Sequence, residues 1–467
     1  MRIRTYTRVL DNGEIGLVHD AVIRIVSEVG MRIENAPMLT RLAEAGVQVD
    51  MPNQMARLSP AFVERFMADS RPFDWEAYAP RLSTYAPIRM GWYLDPDSGE
   101  YLPWTQERLA SYAKLARALE HVGGGDVLGC PVDGLPHKLH PLYERYLAWK
   151  NGYRDAGSIW DMRLCPYILD MCRVIADVQH RDFRNYAGTI AHFATTLTLR
   201  AGEAEQYLYC AERGFPAHLC HMPMAGCTAP VTVAGAAALA IAESLFMDVI
   251  SRVFTGADTL TLRAITVPMD LRSLMYASAR PEAALIAMVV ADMARHYRAA
   301  LVASGSVIDA KQPGAEAGAQ RAFNTLSRLM CGGGTDLAAG LLSMDEIGSP
   351  LQMILDNEYA GAVKRLIRGC DINEETLGVQ VIKEVGPGGL FTDREHTAIH
   401  CRSEYWEPRL WSREMFQAWV SQGGKTEIVK ARELYHDIMA QPSAPCLPEA
   451  ADHALQAIIR KADQDLR

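Results

Sequence analysis

From about residue 120 the chain settles into one rhythm. A short apolar run ends in a small or polar residue, and a longer helical stretch follows. The runs are "DVLGCPVDG", "GSIWDMR", "NYAGTIAHF", "PAHLCHMPMAG", "DTLTLRAITVP", "ALVASGSVIDAK" and "RLMCGGGTDLA"; "AAALAIAESLFMDVISRVF" and "PEAALIAMVVADMARHYRA" are two of the helices between them. Strands separated by helices of this length lie parallel, because only a long crossover can join parallel neighbours. Seven strand–helix units are legible, and one more, hidden in a less regular stretch, closes them on themselves. The expected fold is α/β, a TIM (β/α)8 barrel with additional N-terminal helices and a helical C-terminal tail.

The ends of the chain read differently. In "VHDAVIRIVSEVGMRI" the residues Val18, Val22, Ile25 and Val29 form one helical stripe, and Gly30 stops it. "APMLTRLAEAG" repeats the pattern, and "SPAFVERFMADS" opens on a Ser-Pro helix start. "GWYLDPDSGEYLPW" reads as a hairpin, with turn residues from Asp95 to Gly99 between aromatic arms. The expected organisation is therefore a helical region with an aromatic hairpin over 1–118, the barrel over 119–410 and a helical extension over 411–467.

Composition narrows the function. The net charge of -9 comes with no dense basic run, which disfavours nucleic acid as a partner. Ten cysteines occur without a C-x-x-C pair, so neither a zinc knuckle nor a disulfide framework is expected. The start, "MRIRTYTRVL", lacks the apolar core of a signal peptide. The stretch from Met222 to Ala242 carries no charge, but it is rich in Ala, Gly, Thr and Pro, and Glu243 and Asp248 follow. A strand end and a buried helix fit it better than a membrane span. The expectation is a cytoplasmic protein that is not in a membrane. Neither a G-x-x-x-x-G-K-[ST] loop nor a clean G-x-G-x-x-G after a strand is present.

In a barrel, polar residues at the C-terminal ends of strands face the site. Those positions are Asp133, Asp161, His192, His221, Thr228, Arg263, Ser306, Asp309, Lys311 and the loop Gly332, Gly333, Gly334. Catalytic work is expected of Asp309, Lys311 and Asp336. Substrate contact is expected of Trp92, Tyr93, His192, His221, the three glycines and His396. Each of these residues has a plainer reading, as a satisfied hydrogen-bonding group or a tight turn. The stretch "GPGGLFTDREHTAIHCRSEYWEPRLW" sets His396 and His400 one helical turn apart, with Glu395 beside the first and Glu404 a turn further on. A metal pair, a cap on the end of strand eight, and a contact with substrate or partner are the alternatives. The order is E-H-x-x-x-H rather than H-E-x-x-H, and no metal is expected. Trp92, Tyr93, Tyr101 and Trp104 form one aromatic cluster and Tyr405, Trp406 and Trp411 another, as a cage for an onium group would need.

Taken together, "YLDPDSGEYLPWTQERLASYAKLARAL", "MPMAGCTAPVTVAGAAALAIAE", "SVIDAKQPGAEAG", "CGGGTDLAAG" and "VIKEVGPGGLFTDREHTAIHCRSEYWEPRLWSRE" resemble the trimethylamine methyltransferase superfamily, in order and over nearly the full length. The resemblance implies a TIM barrel that transfers a methyl group from an amine to the Co(I) corrinoid of a separate small protein. Trimethylamine-specific members carry pyrrolysine near the seventh strand, whereas this chain has only standard residues. It is therefore similar to the non-pyrrolysine branch, whose substrates are betaines such as glycine betaine. The chain has no D-x-H-x-x-G, the cobalamin-ligating motif, so the resemblance implies no cofactor on this chain and a corrinoid (cobalamin) brought by a partner protein. A homo-oligomer is expected. The alternatives are a metal-dependent hydrolase or lyase on the same barrel, using His396 and His400, and transfer to another acceptor such as tetrahydrofolate.

Overall fold

The structure is a computed structural model and describes residues 6–129, 132, 134–153, 155–156, 159, 161–193, 195–305 and 307–466. Eight short strands run parallel: β1 Leu82–Tyr85, β2 Asp126–Val127, β3 Asp155–Ala156, β4 Thr189–His192, β5 Ala217–Cys220, β6 Thr261–Ala264, β7 Ala300–Ala303 and β8 Thr335–Ala338. Ile88 just beyond β1 bridges Val127, and β2 pairs with β3. β4 pairs with β5 and β6 with β7, while Val302 of β7 bridges Gly334 beside β8. β8 then returns to β1, with Thr335 opposite Leu82 and Ala338 opposite Tyr85. A first strand hydrogen-bonded to the last is the mark of a closed barrel. Among the described residues, β3 and β4 are adjacent in this order without a register between them, and β5 and β6 meet only through their extensions, Met224–Ala225 and Val267–Pro268.

Eight helices alternate with these strands: α1 Gln106–Ala118, α2 His140–Lys150, α3 Cys165–Gln179, α4 Ala201–Ala211, α5 Val233–Thr255, α6 Pro281–His296, α7 Ala315–Met330 and α8 Pro350–Arg368. Their starts follow local chemistry. Thr105, Thr232 and Ser349 each accept a backbone N–H of the first turn of α1, α5 and α8, and Pro sits in the first turn of α2, α3, α6 and α8. α5 is long and apolar enough to cross a membrane, but 83% of its apolar window is buried within the protein, as in a core helix.

The structure corrects both barrel boundaries. The concealed strand is β1, inside the region expected to be helical, so the barrel runs from 82 to 368 rather than 119 to 410. "LSTY" is short and half polar, and only its long-range partner β8 makes it a strand. β8 is already the "TDLA" run, so the stretch from Gly386 to Trp411 is not the end of strand eight. It lies beyond the last barrel helix.

The hairpin is present: Trp92–Leu94 pairs antiparallel with Tyr101–Pro103. It forms a four-stranded sheet with Leu341–Leu342 and Ile347–Gly348 from the loop after β8. This sheet roofs the β8–β1 side of the barrel mouth. At the N-terminal end, the helix Asn12–Arg24 lies on α5 and α6. At the C-terminal end, Glu427–Ala440 lies on α8 and α1, and Glu449–Asp465 on α2 and α3.

Candidate active site

Alternation along the strands identifies the residues that face the barrel lumen. In β4, Thr189 is buried and donates its hydroxyl to Gln206 on α4, outside the barrel. Ile190 and His192 therefore point inward. Ile190 is 59% exposed and Val302 of β7 is 46% exposed, so this lumen is open rather than filled with side chains. His192 stands at the C-terminal end of β4 with no hydrogen-bond partner among the described residues. The surrounding protein, with no partner charge, holds its imidazole below its ordinary pKa.

Asp336 enters from β8, across the barrel by strand order. It shares its register with Ser83 of β1, and one carboxylate oxygen accepts the Gly305 N–H at 3.1 Å. Burial pushes its carboxyl up; the Ser304 side chain, the Gly305 N–H and the charge of Arg328 oppose that shift. A half-buried carboxyl beside an open lumen responds to charge: a cation arriving there favours its ionised form.

Asp309 and Lys311 lie on the loop between β7 and α7, at the same end of the barrel. The Asp309 carboxylate accepts the N–H groups of Ser278 and Ala279, each at 3.0 Å, and the Ser278 hydroxyl at 3.2 Å. It ties this loop to the one preceding α6. The Lys311 ammonium donates to the Asp309 carbonyl at 2.5 Å, so the two side chains do not pair with each other.

Six expected substrate contacts are placed elsewhere: His221, Tyr93, the three glycines and His396. His221 is fully buried: its Nδ1 lies 2.8 Å from Glu243 and its Nε2 3.3 Å from the Arg263 carbonyl. Tyr93 is 3% exposed and packs edge-on against Trp104 at 5.3 Å, which leaves no face for a ligand. Trp92 remains on the rim, 50% exposed. Gly332, Gly333 and Gly334 precede β8 and so sit at the opposite end of the barrel. Gly332, at φ 74°, packs against Arg295 and Tyr6. A glycine loop reads alike whether it enters or leaves a strand, and the sequence offered no means of telling.

His396 is likewise remote. It lies on the helix Glu395–Glu404, whose last residues accept hydrogen bonds from Arg365 and Arg368 at the far end of α8. Its Nε2 meets the Glu375 carbonyl at 3.2 Å, and His400 pairs with the Glu375 carboxylate at 3.4 Å. The two rings lie 4.4 Å apart. Among the described residues no group of three or more His, Cys, Asp or Glu side chains is gathered as metal ligands would be. Asp161 caps the turn Met162–Leu164 and pairs with Arg163. The Thr228 hydroxyl accepts the Met224 N–H. Arg263 pairs with Asp248 of α5. Asp133 and Ser306 lie outside the described residues.

Sequence reasoning missed one group at the mouth. Arg89, just past β1, pairs with Asp126 of β2 at 2.9 Å. Asp345, in the roof sheet's turn, lies within electrostatic reach of Arg89, and burial pushes its carboxyl up. The signal was present in "LSTYAPIR", but it requires recognising β1.

Residues 94–466 match the sequence model of a family described as trimethylamine methyltransferase (MTTB). The chain is 23% identical over 469 residues to trimethylamine methyltransferase MttB of Desulfitobacterium hafniense (strain DSM 10664 / DCB-2), covering 97% of this chain and 93% of that one. It is 24% identical over 475 residues to a glycine betaine methyltransferase of Desulfitobacterium hafniense (strain Y51), covering 98% of each. Among solved structures, the monomethylamine methyltransferase (MtmB) of Methanosarcina barkeri superposes with a TM-score of 0.48 at 9% identity, covering 99% of this chain and 89% of that one.

Proposed function

Because the chain belongs to the trimethylamine methyltransferase family, we propose that it moves a methyl group from a quaternary amine of the betaine type to the Co(I) corrinoid of a separate corrinoid protein. The observation that carries this reading is the open lumen between His192, which has no hydrogen-bond partner among the described residues, and the half-buried Asp336. An apolar rim on that lumen supports the docking of a macrocycle there. Met90, Leu128, Met222, Leu271, Leu274 and Met275, all on loops at the C-terminal ends of strands, are exposed apolar side chains. A corrinoid presented there supplies the reduced cobalt that accepts the methyl group.

The protein's own residues have a limited task. A quaternary ammonium leaves as a neutral amine, so no proton has to be delivered to it. What is required is orientation of one methyl toward the mouth and exclusion of water. Asp336, ionised when a cation enters, holds the ammonium by charge. The Gly305 N–H keeps that carboxylate in place. His192 packs its ring against the substrate from the opposite wall. Trp92 adds one aromatic face at the rim, where a cation gains about 0.5–2 kcal/mol.

The test compares glycine betaine with its neutral isostere, in which carbon replaces nitrogen, by calorimetry on wild type and Asp336→Asn. The wild type is expected to favour the betaine, and the variant to bind it about 10–100-fold more weakly, the range of a charge-assisted contact. Equal affinities for the two ligands would sink the cationic-substrate reading. Methyl transfer is then followed by the spectrum of cob(I)alamin as it becomes methylated.

A further inference from the structure

The Ser304–Gly305 peptide, just past β7, stands between two charges. Its carbonyl accepts the Nε–H of Arg328 at 3.1 Å, and its N–H donates to the Asp336 carboxylate at 3.1 Å. One amide group therefore links a guanidinium in the last turn of α7 to a carboxylate on β8. A cation on its oxygen and an anion on its hydrogen polarise the amide in the same sense, so each bond strengthens the other. The close approach of α7 depends on Gly305, where a Cβ would lie 3.0 Å from the Arg328 Cγ and 3.2 Å from the Asn324 carbonyl oxygen.

Arg328 is 2% exposed, and a cation so buried needs a counter-charge. Three groups act on it electrostatically: the Cys331 thiol, the Tyr276 phenol and Asp336. Burial pushes the thiol up to about 11 and raises the phenol as well, so both are neutral near pH 7 and Asp336 is the anion. The remaining groups around the lumen are committed elsewhere or uncharged. The Asp309 carboxylate holds the Ser278 and Ala279 N–H groups. Arg89 pairs with Asp126 at the mouth, with Asp345 near it. Ser83, in register with Asp336 on β1, brings no charge, and His192 on the opposite wall is held below its ordinary pKa. The Arg328 Nη1 has no partner among the described residues. Arg328 lines a cavity of about 20 Å³ with Tyr276, Ser278, Ser304 and Asn324, room for one water but not for a second anion of any size.

We propose that Arg328 is a positioning residue for the lumen carboxylate: through the Ser304–Gly305 peptide it fixes Asp336 and keeps it anionic in the empty lumen, ready for a cation. It acts on substrate only through Asp336. The consequence for binding rests on the reading of Asp336 as the counter-charge of the ammonium, whereas the charge state of Asp336 is measured without any ligand.

Infrared difference spectra between wild type and Asp336→Asn, taken without ligand, isolate the protonated-carboxyl band of Asp336. The wild type is expected to lack that band at pH 7 and to gain it on acidification. Removing the guanidinium removes a charge that favours the carboxylate, so the carboxyl keeps its proton to higher pH. In Arg328→Gln the midpoint is expected to rise by about one pH unit or more. Arg328→Lys retains a cation at that place, and its midpoint is expected to lie nearer the wild type. Far-UV CD identifies the folded variants; should Arg328→Gln not fold, the wild-type band and Arg328→Lys carry the test. Calorimetry with glycine betaine is expected to follow the same midpoints, with Arg328→Gln about tenfold weaker than wild type one pH unit below its own midpoint and equal to it well above. A role in packing alone would lower stability or affinity at every pH and leave the midpoint in place. A protonated Asp336 in the wild type at pH 7, or an unmoved midpoint in folded Arg328→Gln, would overturn the proposal. A midpoint that moves while betaine affinity ignores it would uphold the role of Arg328 and count instead against the cation-site reading.

Discussion

Arg263 and Asp248 show how much the barrel wall depends on single side chains. The Asp248 carboxylate accepts the Thr261 N–H at 2.7 Å and the Arg263 guanidinium at 3.1 Å, and its side chain is 4% exposed. Burial pushes its carboxyl up from 3.8 to about 6, with Arg263 and the Thr261 N–H resisting. The folded protein therefore binds this proton more tightly than the unfolded chain does. The resulting stability is complete below pH 3.8 and is lost as the pH rises to about 6. A shift of this size is on the order of 3 kcal/mol. The difference in unfolding free energy between wild type and Asp248→Asn is accordingly expected to favour the wild type more at pH 4 than at pH 7. Urea titrations at the two values measure it, and a difference that stays flat would mean that the carboxyl titrates as an exposed one does. His221 belongs to the same wall. Its partner Glu243 also accepts the Leu197 N–H at 2.8 Å, so the histidine that sequence reading took for a ligand contact fastens the loop after β5 to α5, on the carboxylate that also holds the loop after β4.

The seam between β5 and β6 is where an element has to complete a sheet. These strands pair only through their extensions, Met224 with Val267 and Ala225 with Pro268. Deeper in the barrel, the Arg263 N–H goes instead to the Ser244 hydroxyl of α5 at 3.1 Å, beside the Asp248 contact already described. Replacing Ser244 by Ala leaves a buried N–H without an acceptor, and a loss of about 1–3 kcal/mol is expected in equilibrium unfolding. A cost within 0.3 kcal/mol would mean that another acceptor takes over. No rule applied to "AESLFMD" reveals this job. The apolar stripe marks α5 as a core helix, but the purpose of its polar residues depends on a strand elsewhere in the chain. The same holds for β1, whose character comes from β8, and for the glycine triplet, whose end of the barrel depends on strand direction. The strand positions of His192 and Asp336 were legible because both lie within long, regular strand–helix units. The stretch from Gly386 to Trp411 was legible as distinct, but its position was not, since nothing local records that α8 had already ended the barrel.

Across the whole molecule the two ends of the barrel differ in character. The roof sheet covers the β8–β1 side of the mouth, while the rim formed by the loops after β5 and β6 stays bare and apolar. Leu274 and Met275 are 66% and 47% exposed there. If the corrinoid protein docks on this rim, Leu274→Glu with Met275→Glu is expected to slow methyl transfer to it at least tenfold and leave betaine binding unchanged. Steady-state rates over a range of corrinoid-protein concentrations separate the two effects, and an unaltered rate would move the docking site elsewhere. Closure of the ring has a consequence in time. Tyr85 waits for Ala338, and at roughly 5–20 residues per second a ribosome takes on the order of 10–50 s to deliver that partner. For that interval the "LSTY" edge has no β8 beside it, which is the condition under which strands pair with the wrong chain. The nascent protein thus carries an unpaired strand edge during synthesis, long before any substrate reaches it.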